Sequence, residues 1–275
     1  CVIFTYLFGE LYMNFKLLAI DLDGTLLNDN KEISLFNYEA LEYAANKGII
    51  LVPCTGRAVN GITKYGRLAQ LSTYAIAYNG AMIINLKSNE IIYHCPMDKK
   101  DAFYIINRGI AYDTNICIWS SNKLYCNVIN DYTLSYSKIS GIAPEKFNSL
   151  ADFENKIITK VLWHDSEEKI AKYLKEMSST VSKSVCCCTS KPWFLEFFNI
   201  KASKALALDM LNTALNIKKS EVIAFGDELN DVSLIRYAGT GIAMANARKE
   251  VKQCADIITS SNNDNGVAQI IHKLI

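Results

Sequence analysis

Short apolar runs that stop abruptly at clusters of small polar residues, separated by helix-like stretches, constrain this chain more than any other feature. Residues 16–20 run into Asp21-Leu22-Asp23-Gly24, residues 49–53 into Cys54-Thr55-Gly56-Arg57, and residues 74–78 into Asn79-Gly80. Between the first two runs, Ser34 can cap a helix reaching about Asn46, with Gly48 just past its end. A polar, helix-like segment separates the second run from the third. Strand, helix, strand, helix, strand is the order of a parallel sheet with helices on its faces.

That rhythm breaks and later returns. Residues 83–93 read as a hairpin turning at Lys87-Ser88-Asn89. A second hairpin joins 116–120 to 124–128 through Ser121-Asn122-Lys123, and a third joins 185–189 to 193–198 through Ser190-Lys191-Pro192. Between the second and third, 156–163 reads as a strand and 167–177 as a helix. Hairpins imply antiparallel pairing, so this stretch is expected to form a separate α+β unit. After Asn199, Ser203 can cap a helix with Leu208, Leu211 and Leu215 on one stripe. A strand over 221–225 then stops at Gly226-Asp227. Helices over 231–238, 248–254 and 266–275 alternate with strands over 241–244 and 256–259. The expectation is an α/β fold: a Rossmann-like parallel core with helices on both faces, from residues 13–82 and 199–275, and an inserted α+β cap over 83–198.

Ligands of open parallel sheets bind at the carboxyl ends of the strands. The polar clusters after the core strands, distant in sequence, are therefore expected to meet in one pocket. Asp21 and Asp23 are either a capping turn or a working pair. As a pair, one carboxylate attacks phosphorus, and the other protonates the leaving oxygen and then activates water. Like charges so close need compensation, which Mg²⁺ with oxygen ligands supplies. Gly24 lets the backbone turn sharply around a phosphate. Asp227, Asn230 and Asp231 either begin a helix or serve a site, with Asp227 as metal ligand and Asn230 and Asp231 turned to metal, phosphate or each other. Thr55 offers a hydroxyl and Gly56 an open N–H to a phosphate oxygen. Arg57 either grips a substrate anion or starts the next helix. Lys204 lies in the first turn of its helix, where a cation opposes the macrodipole. It is either a solvated surface lysine or a charge neutralising phosphate and the nucleophile.

Charge narrows the partners. With 29 basic against 28 acidic residues the net charge is +1, so no basic field exists to hold nucleic acid. No run reaches membrane-spanning length without charges. No feature implies a protein partner, and a cytoplasmic protein is expected. Nine cysteines without regular spacing argue against a disulfide framework, and Cys186, Cys187 and Cys188 read as small buried hydrophobes. His94, His164 and His272 lack metal-like spacing and read as structural. Residues 1–12 lack a basic start and read as an extension outside the fold, with Met13 as the natural beginning.

These residues resemble the haloacid dehalogenase-like superfamily, in its Cof-type branch with a class IIB cap. Asp21-x-Asp23-Gly24-Thr25-Leu26 is similar to the first motif, Thr55 to the second, Lys204 to the third and Gly226-Asp227-x-x-Asn230-Asp231 to the fourth. Branch features match as well: Thr55-Gly56-Arg57, Asn79-Gly80-Ala81, Ala245-Asn246-Ala247 and Asp264-Asn265-Gly266-Val267-Ala268. Ala205 departs from the usual Gly after the lysine. The resemblance implies a Mg²⁺-dependent phosphatase of a small phosphorylated metabolite. Asp21 would be nucleophile, Asp23 general acid/base, and Thr55 and Lys204 phosphoryl ligands. The metal would sit on the Asp21 side chain, the Asp23 carbonyl and the Asp227 side chain. Gly24, Gly56, Arg57, Asn79 and Asn230 are the expected substrate-side residues. A sugar phosphomutase using the same aspartyl-phosphate, or a non-catalytic phosphometabolite-binding regulator, are the alternatives.

Overall fold

A computed structural model describes residues 14–275. The expected extension and its boundary at Met13 lie outside the described residues. The central strands are β1 (Leu17–Ile20) and β12 (Val222–Gly226), whose residues are all buried, as in a sheet covered on both faces. With β2 (Ile50–Pro53), β13 (Thr240–Ala243) and β14 (Ile257–Ile258) they form an all-parallel sheet in the order β14-β13-β12-β1-β2. The helices of this layer are α1 (Leu35–Asn46), α2 (Asn60–Thr63), α3 (Gly66–Leu71), α7 (Lys204–Leu215), α8 (Val232–Tyr237), α9 (Lys249–Lys252) and α10 (Gly266–Leu274). Ser34 caps α1 as expected, accepting the Asn37 N–H at 3.1 Å. Ser203 holds the N-cap position of α7, but its hydroxyl makes no capping bond.

The hairpin expected to open the inserted unit belongs elsewhere. Tyr78, Asn79 and Gly80 all have positive φ and reverse the chain after β3 (Tyr74–Ala77). β4 (Met82–Asn85) therefore folds back antiparallel on β3, and β5 (Ile91–His94) on β4. A parallel bridge between Cys54 and Ile76 joins β3 to the end of β2. The hairpin thus extends the first layer, and residue 83 is not where the second sheet begins.

That second sheet has the order β10-β11-β9-β6-β7-β8. Its strands are β6 (Asn115–Ser120), β7 (Lys123–Cys126), β8 (Glu145–Lys146), β9 (Ile158–His164), β10 (Val185–Lys191) and β11 (Phe194–Asn199). Ser121 and Asn122, both at positive φ, make the two-residue turn between β6 and β7. α4 (Lys99–Ala111) and α6 (Glu167–Thr180) bury Ile105, Ile106, Ile170 and Met177 against Trp163 and Phe197 on one face. α5 (Asp131–Ser140) lies on the other, its Tyr136 ring edge-on to Trp119 and Phe194. The two connections between the layers touch, Asn199 Nδ2 donating to the Pro96 carbonyl at 2.8 Å. Cys186, Cys187 and Cys188 on β10 are half-buried rather than core residues, because β10 is an edge strand. No helix among the described residues is long and apolar enough to cross a membrane.

Candidate active site

The carboxyl ends of β1, β2 and β12 bring the expected polar clusters together. Asp21 follows β1, its N–H donating to the Phe225 carbonyl of β12 at 3.1 Å. From the start of α7, Lys204 Nζ donates to Asp21 Oδ1 at 2.6 Å and to Asp231 Oδ1 at 2.5 Å. The lysine side chain is fully buried, so it is not a solvated surface residue, and the two carboxylates offset its unfavourable place in the helix. Asp231 Oδ2 in turn accepts the N–H groups of Asp227 and Glu228 at 3.0 and 3.1 Å. Thr25 Oγ1 donates to Asp227 Oδ1 at 2.9 Å. Gly24, at φ +79°, passes directly beneath Asp227: a Cβ there would lie 2.3 Å from Oδ2. Only glycine satisfies both the backbone and the space.

Asp21, Asp227 and Asp231 offer carboxylate oxygens that all lie within 4.8 Å of one another, and all three residues are buried. Three carboxylates against one ammonium leave an excess of buried negative charge. Burial, reinforced by Asp231, pushes the Asp21 carboxyl well above its ordinary range, with Lys204 opposing. Burial and then Asp231 push Asp227 up to about 7, with the Thr25 hydrogen bond opposing. Burial works against the Lys204 cation, yet Asp21 and Asp231 overcome it and hold its pKa above the usual lysine value. Such a group is compatible with a divalent cation. The donors are oxygens only, and burial holds the nearby Cys54 as a thiol, so the set suits a hard cation.

Asp23 departs from the expected pairing. Its side chain stands outside the three-carboxylate group and is compensated by other charges. Arg57 donates to it through Nε at 2.6 Å and Nη2 at 2.7 Å, and Lys31 Nζ at 3.0 Å. Burial resists ionisation, but Arg57 prevails and holds the Asp23 carboxyl down to about 2. Arg57 thus neither begins α2, which starts at Asn60, nor stands free. Thr55 is buried, and its Oγ1 accepts the Arg57 N–H at 3.2 Å while its carbonyl accepts the Asn79 N–H at 3.0 Å. Asn230 Nδ2 donates to Asn79 Oδ1 at 3.0 Å, and Gly56 packs against that same amide, where a Cβ would come within 2.7 Å.

Asp231 is assigned in the sequence reading only to metal, phosphate or Asn230, and Thr25 and Asn246 carry no assigned role there. Asp231 is the second anchor of Lys204, and Thr25 orients Asp227. Asn246 donates to the Gly24 carbonyl at 2.7 Å and accepts the Asn262 N–H at 3.0 Å, steadying the loop after β1. The spacing of Asp231 four residues after Asp227 was the signal available for the first. The histidines take structural places: His94 meets Thr159 Oγ1, His164 the Tyr132 carbonyl, and His272 the rings of Phe36 and Tyr43.

Comparison with known proteins shows what the chain is similar to. A sequence profile described as haloacid dehalogenase-like hydrolase matches residues 18–271. YxeH of Bacillus subtilis, provisionally named a phosphatase, is 34% identical over 267 residues, covering 95% of this chain and 98% of its own. YcsE of the same organism, named a 5-amino-6-(5-phospho-D-ribitylamino)uracil phosphatase, is 30% identical over 262 residues, covering 94% of this chain and 95% of its own. The crystal structure of a haloacid dehalogenase-like hydrolase from Bacteroides thetaiotaomicron superposes with a TM-score of 0.89 at 30% identity, covering 95% of this chain and all of that one. The chain belongs to the haloacid dehalogenase-like hydrolase family, in its Cof-type branch.

Proposed function

We propose that the protein is a Mg²⁺-dependent phosphatase that hydrolyses a small phosphorylated metabolite through an aspartyl-phosphate on Asp21. The observation that carries this reading is the Asp21 carboxylate itself. It is buried at a strand end, fixed by Lys204 through one oxygen and gathered with Asp227 and Asp231. A carboxylate with one oxygen anchored leaves the other for attack on phosphorus.

In the first half of the reaction an Asp21 oxygen forms a bond to phosphorus and the bond to the leaving oxygen breaks, with Asp23 supplying the proton. In the second half Asp23 takes a proton from water, which attacks the same phosphorus and frees Asp21 and inorganic phosphate. Thr55 and Lys204 hold the phosphoryl oxygens. Asp21, Asp227 and the Asp23 carbonyl would hold the metal, which supplies neutralising charge to the phosphoryl group when bound. As clamped by Arg57, Asp23 is ionised, the form needed for the second half. Its service as an acid requires Arg57 to leave it, and an arriving anionic substrate is the natural competitor for that guanidinium.

The unit carrying the six-stranded sheet acts as a lid that selects the organic part of the substrate. Its two adjacent connections to the core suit a hinge. The likeness to YcsE supports a phosphorylated metabolite as the class of substrate, without fixing its member. The test is a panel of phosphate monoesters assayed for released phosphate with Mg²⁺ and with EDTA. Phosphate release that EDTA abolishes and Mg²⁺ restores is expected. Isomerised ester without net phosphate release would instead indicate a mutase. Turnover unaffected by chelator would contradict the metal requirement.

A further inference from the structure

Three consecutive cysteines lie on β10, and none of them belongs to the candidate active site. β10 is an edge strand of the six-stranded sheet, and successive side chains along it alternate between the two faces. Cys187 turns to the face that α6 covers, where Ser178 Oγ donates to its Sγ at 3.9 Å. Cys186 and Cys188 therefore share the opposite face, set against Phe198 and Glu196 of β11. Both are half-buried free thiols, open in part to solvent. Residues two apart on an extended strand have Cα atoms about 6.7 Å apart. That is the far end of the span a disulfide accepts, so the pair persists as a dithiol.

Interaction with Cys188 holds the Cys186 thiol below its ordinary range, with burial opposing. The same interaction, reinforced by burial, raises the Cys188 thiol, and Lys160 opposes that rise. Cys186 is thus the sulfur that ionises first, and the thiolate is the form that binds metal. Other donors beside the pair are already engaged. Glu196, directly opposite Cys188, is held by Lys160 Nζ at one oxygen and by Ser190 Oγ at the other, each at 2.6 Å. Among the described residues, the one group of three or more side chains placed to hold a metal is Asp21, Asp227 and Asp231. The β10 pair therefore offers two sulfurs and no third ligand. Zn²⁺ takes four donors in a structural site and is poorly served by two. Soft thiolates select Cu⁺, a monovalent ion that two of them satisfy.

We propose that Cys186 and Cys188 form a two-sulfur site for Cu⁺ on the edge strand of the inserted unit, separate from the carboxylate group at the core strand ends. On binding, two S–H bonds break and two Cu–S bonds form. Two protons pass to solvent, and no oxidation state changes. None of the residues involved belongs to the proposed phosphatase machinery, so the site is tested by binding and not by turnover.

The test is an anaerobic titration of the reduced full chain with Cu⁺ in competition with bicinchoninate, followed by iodoacetamide labelling and peptide mass spectrometry. A single tight equivalent of Cu⁺ is expected. It should protect Cys186 and Cys188 from alkylation while Cys187 labels as it does without metal. Zn²⁺ at the same concentration should not displace it. Cys186→Ser and Cys188→Ser should each weaken Cu⁺ binding by more than about 100-fold, the upper range for losing a group that merely supports a metal ligand. Cys187→Ser, whose sulfur lies on the other face, should bind Cu⁺ as wild type does. Equal protection of all three cysteines, protection of none, or displacement by Zn²⁺ would overturn the proposal. So would tight Cu⁺ binding that survives in Cys186→Ser/Cys188→Ser. The protection experiment uses the wild-type chain and decides the matter even where a variant fails to fold.

Discussion

Lys204 Nζ and Asp21 Oδ1 meet at 2.6 Å across 183 residues of chain, so the core strand at the start of the described chain and the helix after the second sheet close on one buried contact. The contact ties the integrity of the fold to that of the site. Lys204→Met would leave Asp21 and Asp231 buried without their cation. Breaking a buried pair this way costs about 3–5 kcal/mol, so a large loss of stability to denaturant is expected, together with loss of turnover. Equilibrium urea unfolding checks the first; a variant as stable as wild type would mean that the ammonium is not the charge holding these carboxylates.

The crowding of Asp227 by burial and by Asp231 gives the proposed metal site a pH signature. With its carboxyl raised to about 7, the folded, metal-free protein holds a proton there that the unfolded chain releases near pH 4. This group's contribution to stability is therefore full below about pH 4 and is lost as pH rises through about 7. On the proposed reading Mg²⁺ would replace the proton, so the gap in Tm between Mg²⁺ and EDTA should widen steadily from pH 5 to pH 8. A gap independent of pH would place the cation away from Asp227.

Asp23 carries the opposite sign. Its carboxyl is held down to about 2, so the stability it contributes is present above the ordinary aspartate value and is lost as pH falls towards 2. Arg57→Gln should let the Asp23 carboxyl rise towards its usual range, which a carbon-13 NMR titration of the side chain measures directly. It should also shrink the difference in stability between variant and wild type as pH drops below about 4. An unchanged Asp23 titration in the variant would mean that Lys31, and not the guanidinium, controls it.

Much of this arrangement was legible because the signals were local. Each core strand is a short apolar run ended by a polar cluster, and parallel sheets gather strand ends, so Asp21, Thr55, Asn79 and Asp227 could be grouped before any coordinates. What escaped depended on pairing across distance. A hairpin announces its own turn but not its neighbour, and residues 82–94 joined β3 instead of the second sheet. The clamp of Arg57 on Asp23 spans 34 residues and has no periodic signature. α4 and α5 escaped because the turn and hairpin signals around them were stronger than their own. The Asp98 and Asn130 caps, accepting from Lys100 and Thr133, were the available cues.

The claim that Asp21 is the nucleophile is tested most directly by the turnover of Asp21→Asn with Mg²⁺ on the best ester of the wild-type enzyme, its fold checked by circular dichroism. The amide keeps the shape of the side chain and removes the attacking charge. A fall in kcat of at least about a thousand-fold with the fold retained is predicted. A folded variant that still turns over within about ten-fold of wild type would contradict the account.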